Sequence, residues 1–184
     1  DVYVVEFGNH RVQRFSSNGT FIEKWGKAGG VAGTGDGEFN SPFDIAADAS
    51  GNVYVADRGN RRIQKFTPSG GTLTSTAERP LEATVGNANF SATAYQLVQT
   101  WTGPFGSLRN LGVDSEGHVY STDDSYAIQK FDSSGVSLGR YGKISFLGDG
   151  PGIFRSISAI DFDSKGDVLV GNGSQIKKLN IASG

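Results

Sequence analysis

The feature that most constrains this chain is a segment that recurs along it. The fullest copy covers residues 39–66, with the sequence FNSPFDIAADASGNVYVADRGNRRIQKF. An ungapped offset of 51 residues places Arg11 on Arg62, and offsets of 66 and 115 carry the first phenylalanine of the segment onto Phe105 and Phe154. Self-similarity of this kind indicates a fold built from repeated structural units.

Each unit reads as four short strands, A to D. In the second unit, strand A covers residues 44–48, strand B residues 52–57 and strand C residues 61–66. These runs are rich in β-branched and aromatic residues and are bounded by Gly, Asn, Asp and Ser, a pattern typical of strands and turns. No stretch shows convincing helical periodicity.

The strand composition predicts small sheets stacked face to face. Strand B is apolar on both faces, which fits a sheet covered on both sides. Strand A is rich in small residues and suits the innermost position, where blades converge. We therefore predict an all-β fold, a β-propeller of four-stranded antiparallel blades. The predicted units cover about residues 1–38, 39–104, 105–153 and 154–184 of a single domain.

The second unit contains an insertion of about residues 71–97. Strand D then falls at residues 98–101, or alternatively at 72–76 with the insertion after it. Long loops are often functional. Phe90, Tyr95 and Trp101 are candidate anchors for a protein partner, or they pack against the propeller itself.

The predicted strands begin and end at different points of the repeat unit. The order B-C-D, A-B-C-D, A-B-C-D, A-B-C amounts to fourteen predicted strands, whereas four complete blades would need more. Exposed terminal faces are unfavourable in repeat proteins. We therefore expect an incomplete ring, either part of a larger propeller or completed by another chain.

The second unit resembles the NHL repeat, through the pattern G-D-G-x-F-x-x-P-x-x-I-A-x-D-x-x-G-N-V-Y-V-A-D-x-x-N-x-R-I-Q-K-F. The first unit matches from strand B onward, including N-H-R-V-Q-R-F, and the last two units are degenerate. The resemblance implies a propeller that usually has six blades. Relatives of this kind include protein-binding scaffolds, sensor ectodomains, RNA-binding modules of ubiquitin ligases and a few lyases.

Two acid–arginine pairs stand at equivalent positions. Glu6 and Arg11 bracket the loop between strands B and C in the first unit, as Asp57 and Arg62 do in the second. A bidentate arginine–carboxylate contact would brace that loop. We interpret both pairs as structural. The third and fourth units lack this arginine, so we expect their loops to be looser.

Basic residues cluster near the same loops. Arg58, Arg61, Lys65 and Arg14 form a candidate patch for phosphate contacts. The formal net charge of -2 and the degenerate later units favour solvated or paired side chains instead. We therefore do not expect nucleic acid as a partner.

Catalytic and metal motifs are missing from the sequence. A catalytic zinc site usually takes about three protein ligands, often histidines. The chain has two histidines, His10 and His118, at different repeat positions. We predict no cofactor, no metal site and no catalytic residue, and an enzyme is not the favoured interpretation.

Composition and glycosylation sequons bear on the cellular compartment. The chain has no Cys and no Met, and Asn18, Asn89 and Asn172 begin glycosylation sequons. These features favour an extracellular or cell-surface protein, with a cytoplasmic location as the alternative. No apolar run is long enough for a membrane span.

The function predicted from the sequence is a non-enzymatic propeller scaffold that mediates protein–protein interaction or assembly. Its expected partner is another protein or additional copies that complete the ring. Two alternatives follow from the resemblance: a lyase-type enzyme with a metal site in its channel, and an RNA-binding propeller.

Overall fold

The computed structural model describes residues 1–69, 95–103, 105–144, 153–154 and 156–180. These residues form β-sheets joined by turns, with two short 3-10 turns at Ala28–Gly30 and Arg58–Asn60. No helix within these ranges is long and apolar enough to cross a membrane.

Four antiparallel sheets follow one another along the chain, and we call them blades 1 to 4. Blade 1 contains β1 (Val2–Glu6), β2 (Arg11–Phe15) and β3 (Phe21–Gly26). Blade 2 contains β4 (Asp44–Ala47), β5 (Val53–Asp57), β6 (Arg62–Pro68) and β7 (Tyr95–Thr102). Blade 3 contains β8 (Leu111–Val113), β9 (Val119–Thr122), β10 (Ile128–Phe131) and β11 (Ser137–Tyr141).

Blade 4 contains β14 (Ile157–Phe162), β15 (Val168–Asn172) and β16 (Gln175–Leu179). Between blades 3 and 4, β12 (Lys143–Ile144) pairs in parallel with β13 (Ile153–Phe154). This pair was not predicted, because two-residue strands leave no periodicity to detect.

The pairing of β7 decides where the insertion lies. Strand β7 pairs with β6 from Arg62 opposite Thr102 to Pro68 opposite Tyr95. Strand D of blade 2 is therefore β7, which follows β6 in the sheet order. Residues 95–97, which the sequence assigned to the insertion, belong to the strand.

The core consists of three layers between successive blades. Because both faces of β5 are apolar, alternate side chains enter different layers: Val53 and Val55 face blade 1, whereas Tyr54 and Ala56 face blade 3. A third layer joins blades 3 and 4 around Tyr120. Burial on both sides of each sheet is the arrangement predicted for stacked blades.

The first strands of blades 2, 3 and 4 approach one another closely. A Cβ on Gly112 of β8 would lie 2.8 Å from the ring of Phe162. The carboxylate of Asp44 accepts the backbone N–H of Leu111 at 2.8 Å, and burial raises the pKa of Asp44. The Asn110 side chain donates to the carbonyl of Ser158 at 3.1 Å. Small residues and these hydrogen bonds join the inner strands, as expected for an all-β propeller.

Candidate functional site

A buried carboxylate organises the loop side of blade 2. Asp57 ends β5 and is 0% exposed. It accepts hydrogen bonds from the Asn40 backbone N–H at 2.7 Å, from Arg62 Nε at 2.7 Å and from Asn60 Nδ2 at 2.8 Å. Gln64 Nε2 adds a fourth at 3.2 Å. We call the side chains of Asp57, Asn60, Arg62 and Gln64 the cradle.

The cradle holds the glycine-rich segment that precedes β4. We call residues 33–40 of this segment the strap. Arg62 Nη1 donates to the carbonyl of Thr34, and its Nη2 donates to those of Gly35 and Glu38, each at 2.8 Å. Arg62 therefore donates to Asp57 from one nitrogen and to the strap from the other two. It does not form the bidentate pair with the carboxylate that the sequence predicted.

The remaining contacts also reach the strap through its main chain. Gln64 donates to the carbonyl of Glu38 at 2.7 Å and accepts the N–H of Gly37 at 2.9 Å. Asn60 donates to the carbonyl of Gly33 at 2.7 Å. Because the partners are backbone groups, the cradle recognises the shape of the strap. Gly37 contributes to that shape with a φ of +73°.

The same carboxylate position recurs in blades 3 and 4. Asp123, at the end of strand B in blade 3, accepts the backbone N–H of Gly106 at 3.0 Å. In blade 4, the Asn172 side chain accepts the N–H of Ser156 at 3.2 Å. Both side chains are buried although the arginine is missing. The segment before strand A is thus held by hydrogen bonds in blades 2, 3 and 4.

Blade 1 carries a matching set, Glu6, Asn9, Arg11 and Gln13, which we call the blade 1 cradle. Arg11 binds Glu6 through both oxygens, with Nε–Oε1 at 2.6 Å and Nη2–Oε2 at 3.1 Å. Asn9 and Gln13 donate to the same carboxylate. The hydrogen bond from Arg11 lowers the pKa of Glu6. Within the described ranges, these side chains contact no strap, and Asn9, Arg11 and Gln13 donate to Glu6.

The apolar face beside the blade 1 cradle is exposed. Val4 of β1 is 39% exposed, whereas Val55, at the equivalent position in blade 2, is 0% exposed. Val2 is likewise exposed and its counterpart Val53 is buried.

The four basic candidates do not form one patch. Arg14 is buried and lies 2.9 Å from Glu23 Oε1, with a further ion pair to Asp1. Lys65 donates to the carbonyl of Ser133 at 2.7 Å, on the side of blade 2 that faces blade 3.

The other two basic candidates lie in the loop between β5 and β6. The guanidinium of Arg58 lies 5.3 Å from the centre of the Phe43 ring. Arg61 is exposed and has a left-handed backbone. Of the four, only Arg58 and Arg61 share a loop.

The aromatic candidates at the end of the insertion pack between blades. Trp101 is 6% exposed and lies in the layer between blades 2 and 3. Tyr95 stacks on Trp25 with ring centres 5.6 Å apart, and its hydroxyl is 2.6 Å from that of Tyr3. The structure thus places both rings in the packing that the sequence left open as an alternative. Phe90 lies outside the described residues.

The glycosylation candidates differ in access. Asn18 is exposed in the turn between β2 and β3 and stays a predicted acceptor. Asn172 is 5% exposed and engaged with Ser156, so a glycan there would require the blade to open. Asn89 lies outside the described residues.

The two histidines hold separate turns. His10 Nδ1 accepts the N–H of Ser41 at 2.8 Å, and His118 Nδ1 lies 2.9 Å from Asp114 Oδ2. No group of three or more His, Cys, Asp or Glu side chains suited to a metal ion occurs in the part of the chain that the structure describes.

Two sets of residues were not predicted from the sequence. Gln64 is a cradle member, and its recurrence as Gln13 was the available signal. The second set is the aspartates that end strand A. Asp48, for example, accepts the N–H groups of Ser50 and Asn52 in the following turn, both at 2.9 Å.

Comparison with known proteins agrees with this architecture. The family model described as NHL repeat matches residues 39–66. The human NHL repeat-containing protein 3 is 41% identical over 69 residues, which are 36% of this chain and 19% of that protein. Protein lin-41 of Caenorhabditis elegans is 49% identical over 41 residues, or 22% of this chain and 4% of that protein. The matched parts therefore span a minor share of these relatives.

A solved structure extends the likeness to nearly the whole chain. The streptogramin B lyase structure superposes with a TM-score of 0.57 at 12% identity, covering 98% of this chain and 48% of that one. At this identity the likeness concerns the fold, which is that of a β-propeller. With its repeated blades and the match at residues 39–66, the chain has the fold of a β-propeller and carries an NHL repeat at those residues.

Proposed function

We propose that this chain is a non-enzymatic propeller scaffold that binds protein through exposed aromatic side chains on the loop side of blades 1 and 2. The observation that carries the proposal is a pair of phenylalanines. Phe7 is 49% exposed and Phe43 is 38% exposed, and their rings meet edge to face with centres 6.4 Å apart. Exposed apolar side chains that lie together mark surfaces suited to protein contacts.

Arg58 extends this aromatic pair. Its guanidinium lies 5.3 Å from the centre of the Phe43 ring. Aromatic residues and arginine are enriched at protein–protein interfaces. The three side chains together therefore favour a protein partner over a small ligand.

The basic side chains favour protein over RNA as the partner. RNA or DNA binding depends on cations free to neutralise phosphates. Arg14 is paired with two carboxylates, and Lys65 is bound to a carbonyl of blade 3. Relatives named as lyases share the fold at low identity, which supports no particular chemistry for this chain.

Sedimentation velocity over a concentration series tests the proposal, with a second copy of the chain as the binding protein. We expect the wild-type chain to self-associate and Phe43→Lys to weaken the association about tenfold or more, because a lysine would be placed in an apolar contact. Val136→Lys is the control, because Val136 is an exposed apolar side chain on blade 3. A wild-type chain that stays monomeric, or association unchanged by Phe43→Lys, would overturn the proposal.

A further inference from the structure

We infer that Arg109, together with Phe43 and Arg58, binds an acidic segment of a protein partner, with a carboxylate of the partner on the Arg109 guanidinium. The inference rests on the proposed function, since it names the chemistry that the aromatic surface recognises. The binding surface then extends from blade 2 onto blade 3.

Arg109 occupies in blade 3 the place that Phe43 occupies in blade 2. The repeat offset of 66 residues carries Phe43 onto Arg109. The N–H of Phe43 donates to the carbonyl of Ala56 at 2.9 Å, and the N–H of Arg109 donates to that of Thr122 at 2.8 Å. The strands that follow the two residues, β4 and β8, pack against each other. The two side chains therefore start from equivalent points on the loop side of adjacent blades.

The Arg109 side chain has no partner among the described residues. Its Nε is buried and makes no hydrogen bond there. The carboxylates of Asp123 and Asp124 in the same blade accept the backbone N–H groups of Gly106 and Ser107 instead, at 3.0 and 3.2 Å. A buried charged donor without a partner is unfavourable, and a carboxylate bound to the accessible end of the guanidinium would offset that cost.

The arginines of the described residues differ in their pairing. Three of them form ion pairs with carboxylates of their own blade: Arg11, Arg14 and Arg62. On the loop side of blades 2 and 3, Arg58, Arg61 and Arg109 form no such pair within the described ranges. Positive charge is thus available beside the exposed ring of Phe43, which complements an acidic partner.

The setting of the Phe43 ring favours an acidic protein segment over RNA. Single-stranded nucleic acid is bound by stacking bases on the faces of aromatic rings. Arg58 already lies over a face of the Phe43 ring, and Phe7 meets the ring edge to face. The formal net charge of -2 also opposes binding of a long polyanion. A short acidic segment with an apolar side chain needs only one or two arginines and an apolar contact.

The test uses a fluorescein-labelled peptide, SGDFEDFGS, titrated with the intact chain and followed by fluorescence anisotropy. We expect saturable binding that weakens with added salt, because charged groups carry it. A second peptide with Asn and Gln in place of Asp and Glu should bind about tenfold or more weakly, because it offers no carboxylate.

Two arginine variants locate the carboxylate site. Arg109→Gln should weaken binding of the acidic peptide about tenfold or more. Arg140→Gln is the matched control and should leave binding unchanged, because Arg140 lies on β11 and donates to Ser125 Oγ at 2.7 Å. Since the Nε of Arg109 has no partner to lose, the urea midpoint of Arg109→Gln should match or exceed that of the wild type. A lower midpoint together with weaker binding would make Arg109 a structural residue and overturn the inference.

The outcomes separate this inference from the proposed function. No binding of the acidic peptide, equal binding of the two peptides, or tighter binding of a decauridine RNA overturns the inference. Self-association that depends on Phe43, without peptide binding, would leave the scaffold proposal standing and remove only this inference. Peptide binding by a chain that stays monomeric would support the inference and overturn self-association. Circular dichroism verifies folding, and the two peptides on the wild-type chain decide the result if Arg109→Gln does not fold.

Discussion

The sharpest test of the fold compares one substitution made at two equivalent positions. Arg62→Ala and Arg11→Ala remove the same side chain from the same place in successive repeats. In blade 2 the Arg62 and Asp57 side chains are 10% and 0% exposed, whereas in blade 1 Arg11 and Glu6 are 30% and 17% exposed. Arg62 also holds three carbonyls of the strap, which have no counterpart for Arg11 among the described residues.

The structure predicts very different losses of stability. Removing one partner of a buried ion pair costs about 3–5 kcal/mol, because the other charge stays buried and uncompensated. Removing one partner of a largely solvated pair costs about 0–1 kcal/mol. The free energy of unfolding should therefore fall about 3 kcal/mol further in Arg62→Ala than in Arg11→Ala.

Urea unfolding measures this difference directly. With a urea dependence of about 1–3 kcal/mol/M, the midpoint of Arg62→Ala should lie about 1 M or more below that of Arg11→Ala. Hydrogen exchange gives a local readout, since the Gly37 N–H, bonded to Gln64, should exchange faster in Arg62→Ala alone. Equal midpoints for the two variants would refute the view that strap contacts make the blade 2 pair important. Arg62→Lys, which keeps the charge, replaces the alanine variant if that one does not fold.

Three further predictions follow from other contacts. Gly135→Ala should cost about 1–3 kcal/mol more in urea unfolding than Gly117→Ala. Both glycines have a φ of +84°, but only at Gly135 would a Cβ clash with the indole of Trp101, 2.6 Å away. Equal losses of stability in the two variants would contradict this packing. Asp44 accepts the N–H groups of Ile45 and Leu111 on separate oxygens, so Asp44→Asn can keep one of these bonds and Asp44→Ala neither. Asp44→Ala should therefore lose about 1–3 kcal/mol and Asp44→Asn less; an asparagine variant less stable than the alanine variant would contradict it. The pKa of Glu6 is lowered in the folded state, so its contribution is present above its ordinary pKa of 4.5 and is lost as pH falls through the lower folded value. The difference in urea midpoint between wild type and Glu6→Gln should therefore shrink below about pH 4.5, and a difference independent of pH would oppose this assignment.

The order of strands was predictable because the units repeat. Strand B of blade 2 was predicted at residues 52–57 and β5 covers Val53–Asp57, since a doubly apolar strand beside a Gly-Asn turn has few alternatives. The position of the insertion was less certain, because two segments could supply strand D. Pairing with β6 selected Tyr95–Thr102, a choice that depends on cross-strand contacts rather than on local composition.

The roles of individual side chains depended on what lies across from them. Glu6–Arg11 and Asp57–Arg62 look alike in the sequence, yet the first pair is partly exposed and the second is buried and binds the strap. Likewise, the sequence allowed Tyr95 and Trp101 either to bind a partner or to pack against the propeller. Only their contacts with neighbouring blades show that both side chains pack between blades.

The sequence by itself determined that this protein is a series of β-blades with an NHL repeat at residues 39–66, because repeat spacing, turn residues and two-sided apolar strands are local properties. Only the tertiary structure decided what the cradle of blade 2 holds. Burial and hydrogen bonding depend on segments distant in the chain. Asn60, Arg62 and Gln64 therefore bind the strap through its backbone carbonyls.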